Sequence, residues 1–179
     1  MKFGKISFWI LINHFKVIIL KILFLTNRPS ANSQATTVLD YMNSFEKYSS
    51  NQIFEVSMLN TFPEKLSLSN FDVILIHYSL PINLMIEHYL GKKLIKMLRE
   101  FDGLKAVILQ DEYRNVKKTW YNLNYLKVDI LFTCVPKNVM RTVYPKNELP
   151  NLRLKNILTG YNPISSQNTD ILPVFKRNI

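Results

Sequence analysis

Val107-Ile-Leu-Gln-Asp-Glu-Tyr-Arg114 decides how the rest of the chain is read. An apolar run, Ala106–Leu109, stops abruptly at Gln110, Asp111, Glu112, Tyr113 and Arg114. Runs of this kind are the mark of parallel strands buried on both faces. Open α/β sheets bind ligands just beyond the carboxyl ends of such strands. The acidic cluster therefore stands where an α/β protein places its chemistry.

Working outward, similar runs recur along the chain. Lys21–Thr26 (KILFLT) reads as a first strand, Ile53–Leu59 as a second and Phe71–Ile76 as a third. In the second, Phe54, Val56 and Met58 alternate with polar neighbours. Leu104–Leu109 is the strand that ends in the acidic cluster, followed by Ile130–Thr133 and Leu154–Leu158. Helical patterns fall between them. Ser33 or Thr36 caps a helix reaching Tyr48, with Val38, Tyr41, Met42 and Phe45 on its inner face. Asn83–Phe101 reads as one long helix, apolar at Leu90, Leu94, Leu98 and Phe101 and basic at Lys92, Lys93, Lys96 and Arg99. Gly103 stands where a helix C-terminal glycine is expected. A further helix is expected around Val116–Leu126, and a short one from Pro136 through Val143. Strands alternating with helices predict an α/β fold: a single domain with a Rossmann-like, mainly parallel sheet flanked by helices, over residues 21–161.

Two segments flank that domain. Residues 1–20 hold Lys2, Lys5 and Lys16, no acid, and Phe3, Ile6, Phe8, Trp9, Ile10, Leu11, Ile12 and Phe15. Asn13, His14 and Lys16 interrupt the run, which is too broken for a spanning helix. Two readings stand: a helix lying on an anionic membrane surface, or one packed on its own domain or on a partner. Residues 162–179 are polar and proline-spaced and read as a linker-like tail.

Composition narrows the function classes. An apolar fraction of 47% with 20% charged residues is that of a globular domain rather than a disordered chain. Lys and Arg exceed Asp and Glu by 23 to 13, a net charge of +10 that favours anionic partners. Nucleic acid is not the expected one, because the chain carries no helix-turn-helix, RNA-binding or zinc-finger signature. Cys134 is the single cysteine, so no intrachain disulfide and no cysteine-based zinc site can form, and a cytoplasmic setting is expected. The four glycines, Gly4, Gly91, Gly103 and Gly160, are too far apart for a dinucleotide or P-loop motif.

Four strand ends share one predicted rim: Thr26–Ser33, His77–Ser79, Gln110–Arg114 and Cys134–Lys137. His77 directly follows an apolar run, where it can act as general base or hydrogen-bond a sugar or phosphate; a structural histidine bonded to a loop carbonyl is the alternative. Asp111 and Glu112 are an adjacent acid pair. They can take a proton from a hydroxyl or hold ligand hydroxyls; the alternative has Asp111 capping a turn and Glu112 pairing with Arg114 or Lys117. Without a neighbouring ligand they are a weak metal signal, and no metal site is expected. Arg28, Arg114, Lys117, Lys118 and Lys137 can bring positive charge to the rim. His88 reads as an ordinary helix residue and Cys134 as a buried thiol.

Taken together, KILFLTNRPSANSQATTVLDYMNSFEKYS, FDVILIHYSL, FDGLKAVILQDEYR, DILFTCVPKNVMRTVYP and ILTGYNP resemble the N-terminal, acceptor-side domain of bacterial GT-B-type glycosyltransferases of surface-polysaccharide clusters. The resemblance covers about residues 21–163. It implies a Rossmann-like half whose active cleft is completed by a second, donor-binding domain. It implies no cofactor held within this chain, a nucleotide sugar as donor of the complete enzyme, and a glycan or lipid-linked sugar as acceptor. His77 and Asp111 match the polar strand-end residues that face the cleft and are the expected catalytic pair. Arg28, Ser30, Ser33, Tyr78, Glu112, Tyr113 and Arg114 are the expected substrate contacts. A chain ending before the donor domain is expected to be inactive alone, whether it is a truncated product, an excised domain or one part of a split enzyme with a separate donor-domain chain, and to be held at the inner membrane face by its basic N-terminal segment. The rival expectation is a non-catalytic α/β module that binds a glycan or a protein.

Overall fold

The computed structural model describes residues 18–30, 36–59 and 61–158. The expectations placed on residues 1–17, on Ser33 and its cap, and on the tail from residue 159 lie outside them. Eleven elements follow one another: β1 (Lys21–Thr26), α1 (Thr36–Tyr48), β2 (Gln52–Ser57), a 3-10 turn (Leu68–Asn70), β3 (Val73–Ile76), α2 (Ile86–Glu100), β4 (Leu104–Ile108), α3 (Val116–Tyr125), β5 (Ile130–Thr133), α4 (Met140–Val143) and β6 (Arg153–Asn156). All five strand pairings are parallel, and the order across the sheet is β2-β1-β3-β4-β5-β6. This is the expected Rossmann-like α/β domain.

Side-chain alternation sends each strand's residues to two cores. Val56, Leu25, Ile76, Val107, Leu131 and Leu154 are register partners in turn, one from each strand. They form a row on one face; its four central members are at most 1% exposed. Each such side chain contributes about 1.5–3 kcal/mol by leaving water. The next residue in each strand points the other way. Phe24, Leu75, Ala106 and Ile108 make a second core with Met42 of α1.

The two faces are covered unequally, for a reason of handedness. Parallel strands are joined by right-handed crossovers, so connections moving in opposite directions along the sheet lie on opposite faces. From β1 to β2 the chain moves one way, and α1 covers the second face. Every later connection moves the other way. Leu68 before β3, Leu90, Leu94 and Leu98 of α2, Leu123 of α3 and Tyr144 after α4 all join the first core.

The strand starts are tied by acids that precede neighbouring strands. The Lys21 amide donates to Asp72 Oδ2 at 2.7 Å, and the Lys105 amide to Asp129 Oδ2 at 2.8 Å.

Strands β2, β3 and β4 differ from the sequence reading by one or two residues at an end, and larger differences fall elsewhere. Asn83 and Leu84 lie in a turn, and the helix expected from Asn83 to Phe101 begins at Ile86 and is broken at Gly91, whose φ is 73° and ψ 150°. The apolar stripe runs unbroken through Leu90, Leu94 and Leu98, so periodicity alone hides the kink. Gly103 is no left-handed cap, since the helix ends at Phe101 in extended backbone. Its missing side chain serves packing: a Cβ there would lie 2.7 Å from the Asp72 carbonyl oxygen and against the Phe101 ring. The helix expected from Pro136 shrinks to one turn over Met140–Val143, and the last strand is Arg153–Asn156 rather than Leu154–Leu158.

Gly91 gives a direct test. Its backbone sits in a region open essentially to glycine alone, and the residue is buried. Gly91→Ala is expected to lower unfolding free energy by about 1–3 kcal/mol, read from the urea midpoint.

Candidate functional site at the carboxyl edge of the sheet

The connection from β1 leads to one side and that from β3 to the other, so the direction of winding reverses between these neighbours. Crevices of doubly wound sheets form at this place. The parallel pairing also puts the ends of β4 and β5 on the same edge, so the four loops predicted to share a rim do share one.

His77 closes β3. Its side chain is fully buried on the α1 side, among Phe24 (ring centroids 5.7 Å apart), Tyr41 (5.7 Å) and Tyr78 (3.9 Å). The Ser79 amide donates to His77 Nδ1 at 3.1 Å, so that nitrogen carries no hydrogen. The Ser79 hydroxyl, 2.9 Å from Nδ1, then donates to it as well and accepts from the Asn27 amide at 2.8 Å. The neutral ring must carry its proton on Nε2, which is buried without a hydrogen-bond partner among the described residues. Burial pulls the imidazole pKa down to about 4; Glu55 opposes this and Arg28 adds to it. His77 is therefore a neutral donor at pH 7. The one lone pair that a general base would use, on Nδ1, is engaged by Ser79. Burial pushes the Tyr41 phenol up to about 12, with Tyr78 and Cys134 adding to the shift.

Arg28 brings less charge to the rim than its sequence suggests. Its guanidinium forms a two-point ion pair with Glu55 of β2, through Nε at 2.8 Å and through Nη2. Its Nη1 donates to Asn43 Oδ1 at 2.9 Å. Burial would raise the Glu55 pKa, but hydrogen bonds from Arg28 and Thr26 and the charge of Arg28 outweigh it, and the carboxyl lies below its usual range. Ser30 and Lys137 are exposed on this edge.

The acid pair after β4 divides its labour. Asp111 is exposed, with φ at 52°, and its carboxylate has no partner among the described residues. Glu112 is 8% exposed and points inward. It accepts from the Thr133 hydroxyl at 2.5 Å, from the Cys134 amide at 2.7 Å and from the Tyr144 hydroxyl. The alternative pairing with Arg114 or Lys117 is absent among the described residues, and Glu112, expected as a substrate contact, takes three short donors of its own domain instead. Burial first, then Glu112, keep the Tyr144 phenol protonated. Tyr113 is 73% exposed, with the Arg114 guanidinium 5.4 Å from its ring centre.

A cavity of about 510 Å³ opens beside this loop. Its lining includes Asn83, Met85, His88 and Tyr89 from the β3–α2 connection and α2, with Asn115 and Lys118 at the start of α3. Asn122 holds the far wall, its Nδ2 donating to the carbonyls of Ile82 (2.5 Å) and Leu84 (3.0 Å). Sequence reasoning missed this pocket. His88 carries no local signal, and only the turn at residues 82–85 and the break at Gly91 set its helix segment here. No three His, Cys, Asp or Glu side chains cluster as a metal ion would need among the described residues.

No family model matches this chain, and no curated protein matches its sequence.

Two outcomes follow. The His77 pKa is about 4 in the fold against 6.5 unfolded, so between these values the unfolded chain binds a proton that the fold excludes. This contribution is complete above pH 6.5 and is lost as pH falls toward 4, on the order of 3 kcal/mol. Denaturation across that range should show the slope, and His77→Gln should flatten it. Glu112→Gln puts an amide nitrogen where an acceptor is needed and leaves a buried donor unpaired. It should cost about 1–3 kcal/mol in thermal melts.

Proposed function

We propose that this chain is the acceptor-binding half of a glycosyltransferase-like enzyme of polysaccharide or glycoconjugate synthesis. A second Rossmann-like unit would close the cleft and hold the nucleotide-sugar donor. The observation that carries this reading is the makeup of the rim. Arg28 is neutralised by Glu55, Glu112 is turned inward and His77 is uncharged. Asp111 is an exposed carboxylate on the loop that leads to Asn115, and the cavity beside that loop is walled by Leu84, Met85, His88 and Tyr89 with the amides of Asn83 and Asn115 and the ammonium of Lys118. Apolar and aromatic walls with a few polar groups suit a ligand rich in hydroxyls.

The roles separate accordingly. Asp111 is the group able to orient or deprotonate an acceptor hydroxyl. His77 acts as a neutral hydrogen-bond donor or as a support for the crevice, not as the base. Tyr113 and Arg114 stand exposed beside Asp111 and would contact the acceptor. Among the described residues no helix is long and apolar enough to cross a membrane.

The rival is a glycan-binding module with no reaction of its own. The inward turn of Glu112 favours it to this extent: one free acid is less than an acid and a base. The two readings part on Asp111.

Titration of the chain with oligosaccharide acceptors, followed by amide chemical shifts, should perturb Asn115, Lys118 and His88. Asp111→Asn should weaken binding roughly tenfold, the loss of one hydrogen bond to a charged group. With nucleotide sugars the chain alone should transfer nothing. No shift with any acceptor overturns the reading, and unchanged binding in Asp111→Asn transfers support to the module.

A further inference from the structure

α2 and α3 each join neighbouring parallel strands on the same face of the sheet, so they run side by side with their starts at the carboxyl edge. Two contacts locate the seam between them. At its head, His88 and Tyr89 of α2 line one cavity with Lys118 of α3. At its foot, the Arg99 guanidinium of α2 lies 4.4 Å from the ring centre of Tyr125 on α3. Lys92 and Lys96 stand on the Arg99 stripe, one and two turns before it. On the α3 side, Tyr121 stacks on Tyr125, with ring centres 5.7 Å apart and planes 11° from parallel. Lys118 Nζ lies 5.1 Å from the Tyr121 ring centre.

The charge along this seam is uncompensated. α2 and α3 together hold Lys92, Lys93, Lys96, Arg99, Lys117 and Lys118 against two acids, Glu87 and Glu100. Lys92, Lys96, Arg99 and Lys118 are exposed, and none of them is in an ion pair among the described residues. Like charges one turn apart weaken a helix, so the row gains from an anion outside the chain.

We propose that this seam binds a linear acidic polysaccharide, one carrying carboxylates along its length. From Lys92 to Arg99 the cations span about 10 Å of helix, and the cavity at His88 and Lys118 continues the track. Charge complementarity calls for a polyanion, and the rings choose among polyanions. Tyr121 is engaged by Tyr125 and Lys118, and Tyr125 by Tyr121 and Arg99, so the stacking platform that a single-stranded nucleic acid uses is taken. A bilayer suits the seam no better. Within α2 and α3 the one exposed large apolar side chain is Tyr121, and exposed Leu84 and Met85 stand before α2 at the cavity, not along the row. An interfacial helix needs an apolar face. What the seam offers is ammonium and guanidinium donors for carboxylates and a phenol edge for hydroxyls. Taking the bound chain to be the acceptor, with its end in the cavity, rests on the reading given above.

The probe is an oligogalacturonate and its methyl ester, the same backbone with and without charge, titrated into the full chain and followed by calorimetry and amide chemical shifts. The acid form should bind at least tenfold tighter than the ester, with an advantage that shrinks as salt is added. Its shifts should run along Lys92, Lys96, Arg99 and Tyr121. Lys92→Gln, Lys96→Gln and Arg99→Gln, made together on exposed positions, should remove that tenfold. Lys21→Gln, Lys47→Gln and Lys155→Gln remove the same charge from exposed positions away from the seam and should leave the advantage in place. The proposal falls if acid and ester bind alike, or if the two triple variants lose equally, which is the general pull of a basic chain. It falls also if single-stranded DNA or vesicles of anionic lipid occupy the seam more tightly than the oligogalacturonate. Equal binding of acid and ester with shifts at Asn115 and His88 removes the seam alone and leaves the acceptor reading standing. Charge-dependent shifts along the seam with none at Asn115 or His88 uphold the seam and remove the acceptor reading.

Discussion

One row of side chains governs the architecture: Val56, Leu25, Ile76, Val107, Leu131 and Leu154, a registered partner from every strand. A slip of one residue in any strand would turn its buried set to the opposite face. The row thus locks six strands in phase, and with them the level at which each strand ends. Thr26 and His77 follow Leu25 and Ile76 directly, so they stand side by side where the winding reverses. The chemistry of the edge depends on this phase more than on any contact within the edge itself.

The edge has two sides because the strands alternate. Thr26 and His77 turn toward α1, with Tyr41 and Tyr78 around the imidazole. Thr133 and Glu112 turn toward the opposite helices and meet Tyr144. The first side holds an uncharged donor, and the second spends its carboxylate on holding a loop. Of the chain's net charge of +10, Arg28 is cancelled on this edge by Glu55, while Arg114, Lys118 and Lys137 remain exposed there. A further basic group, Lys92, Lys93, Lys96 and Arg99, is exposed along α2.

Most of the fold was legible in the sequence, because each buried parallel strand is a short apolar run between polar breaks. Ile130–Thr133 was read with its observed bounds. The edge strands were read less well, since β6 has an exposed face and its polar residues blur the run. The shared rim was legible from the same pattern. The partners of its residues were not: Arg28 finds Glu55 across 27 residues, and Glu112 finds Tyr144 across 32. Such pairings exist only once the sheet has brought distant segments together. The break at Gly91 was hidden for a different reason. A helical stripe constrains which residues face the core, and a kink that keeps the same face inward leaves the stripe intact.

The anchoring of Glu112 separates two duties that four adjacent letters seem to share. Glu112 fastens the loop from beneath, while Asp111, Tyr113 and Arg114 project outward. Tyr113 and Arg114 can be exchanged without disturbing the fastening, whereas Asp111, at φ 52°, favours Asn or Gly in its place. The loop thus behaves as a replaceable cassette on a fixed mount, and a library varying positions 113 and 114 at constant Glu112, with position 111 kept to Asp, Asn or Gly, could re-aim the crevice toward new ligands while the domain beneath stays as it is.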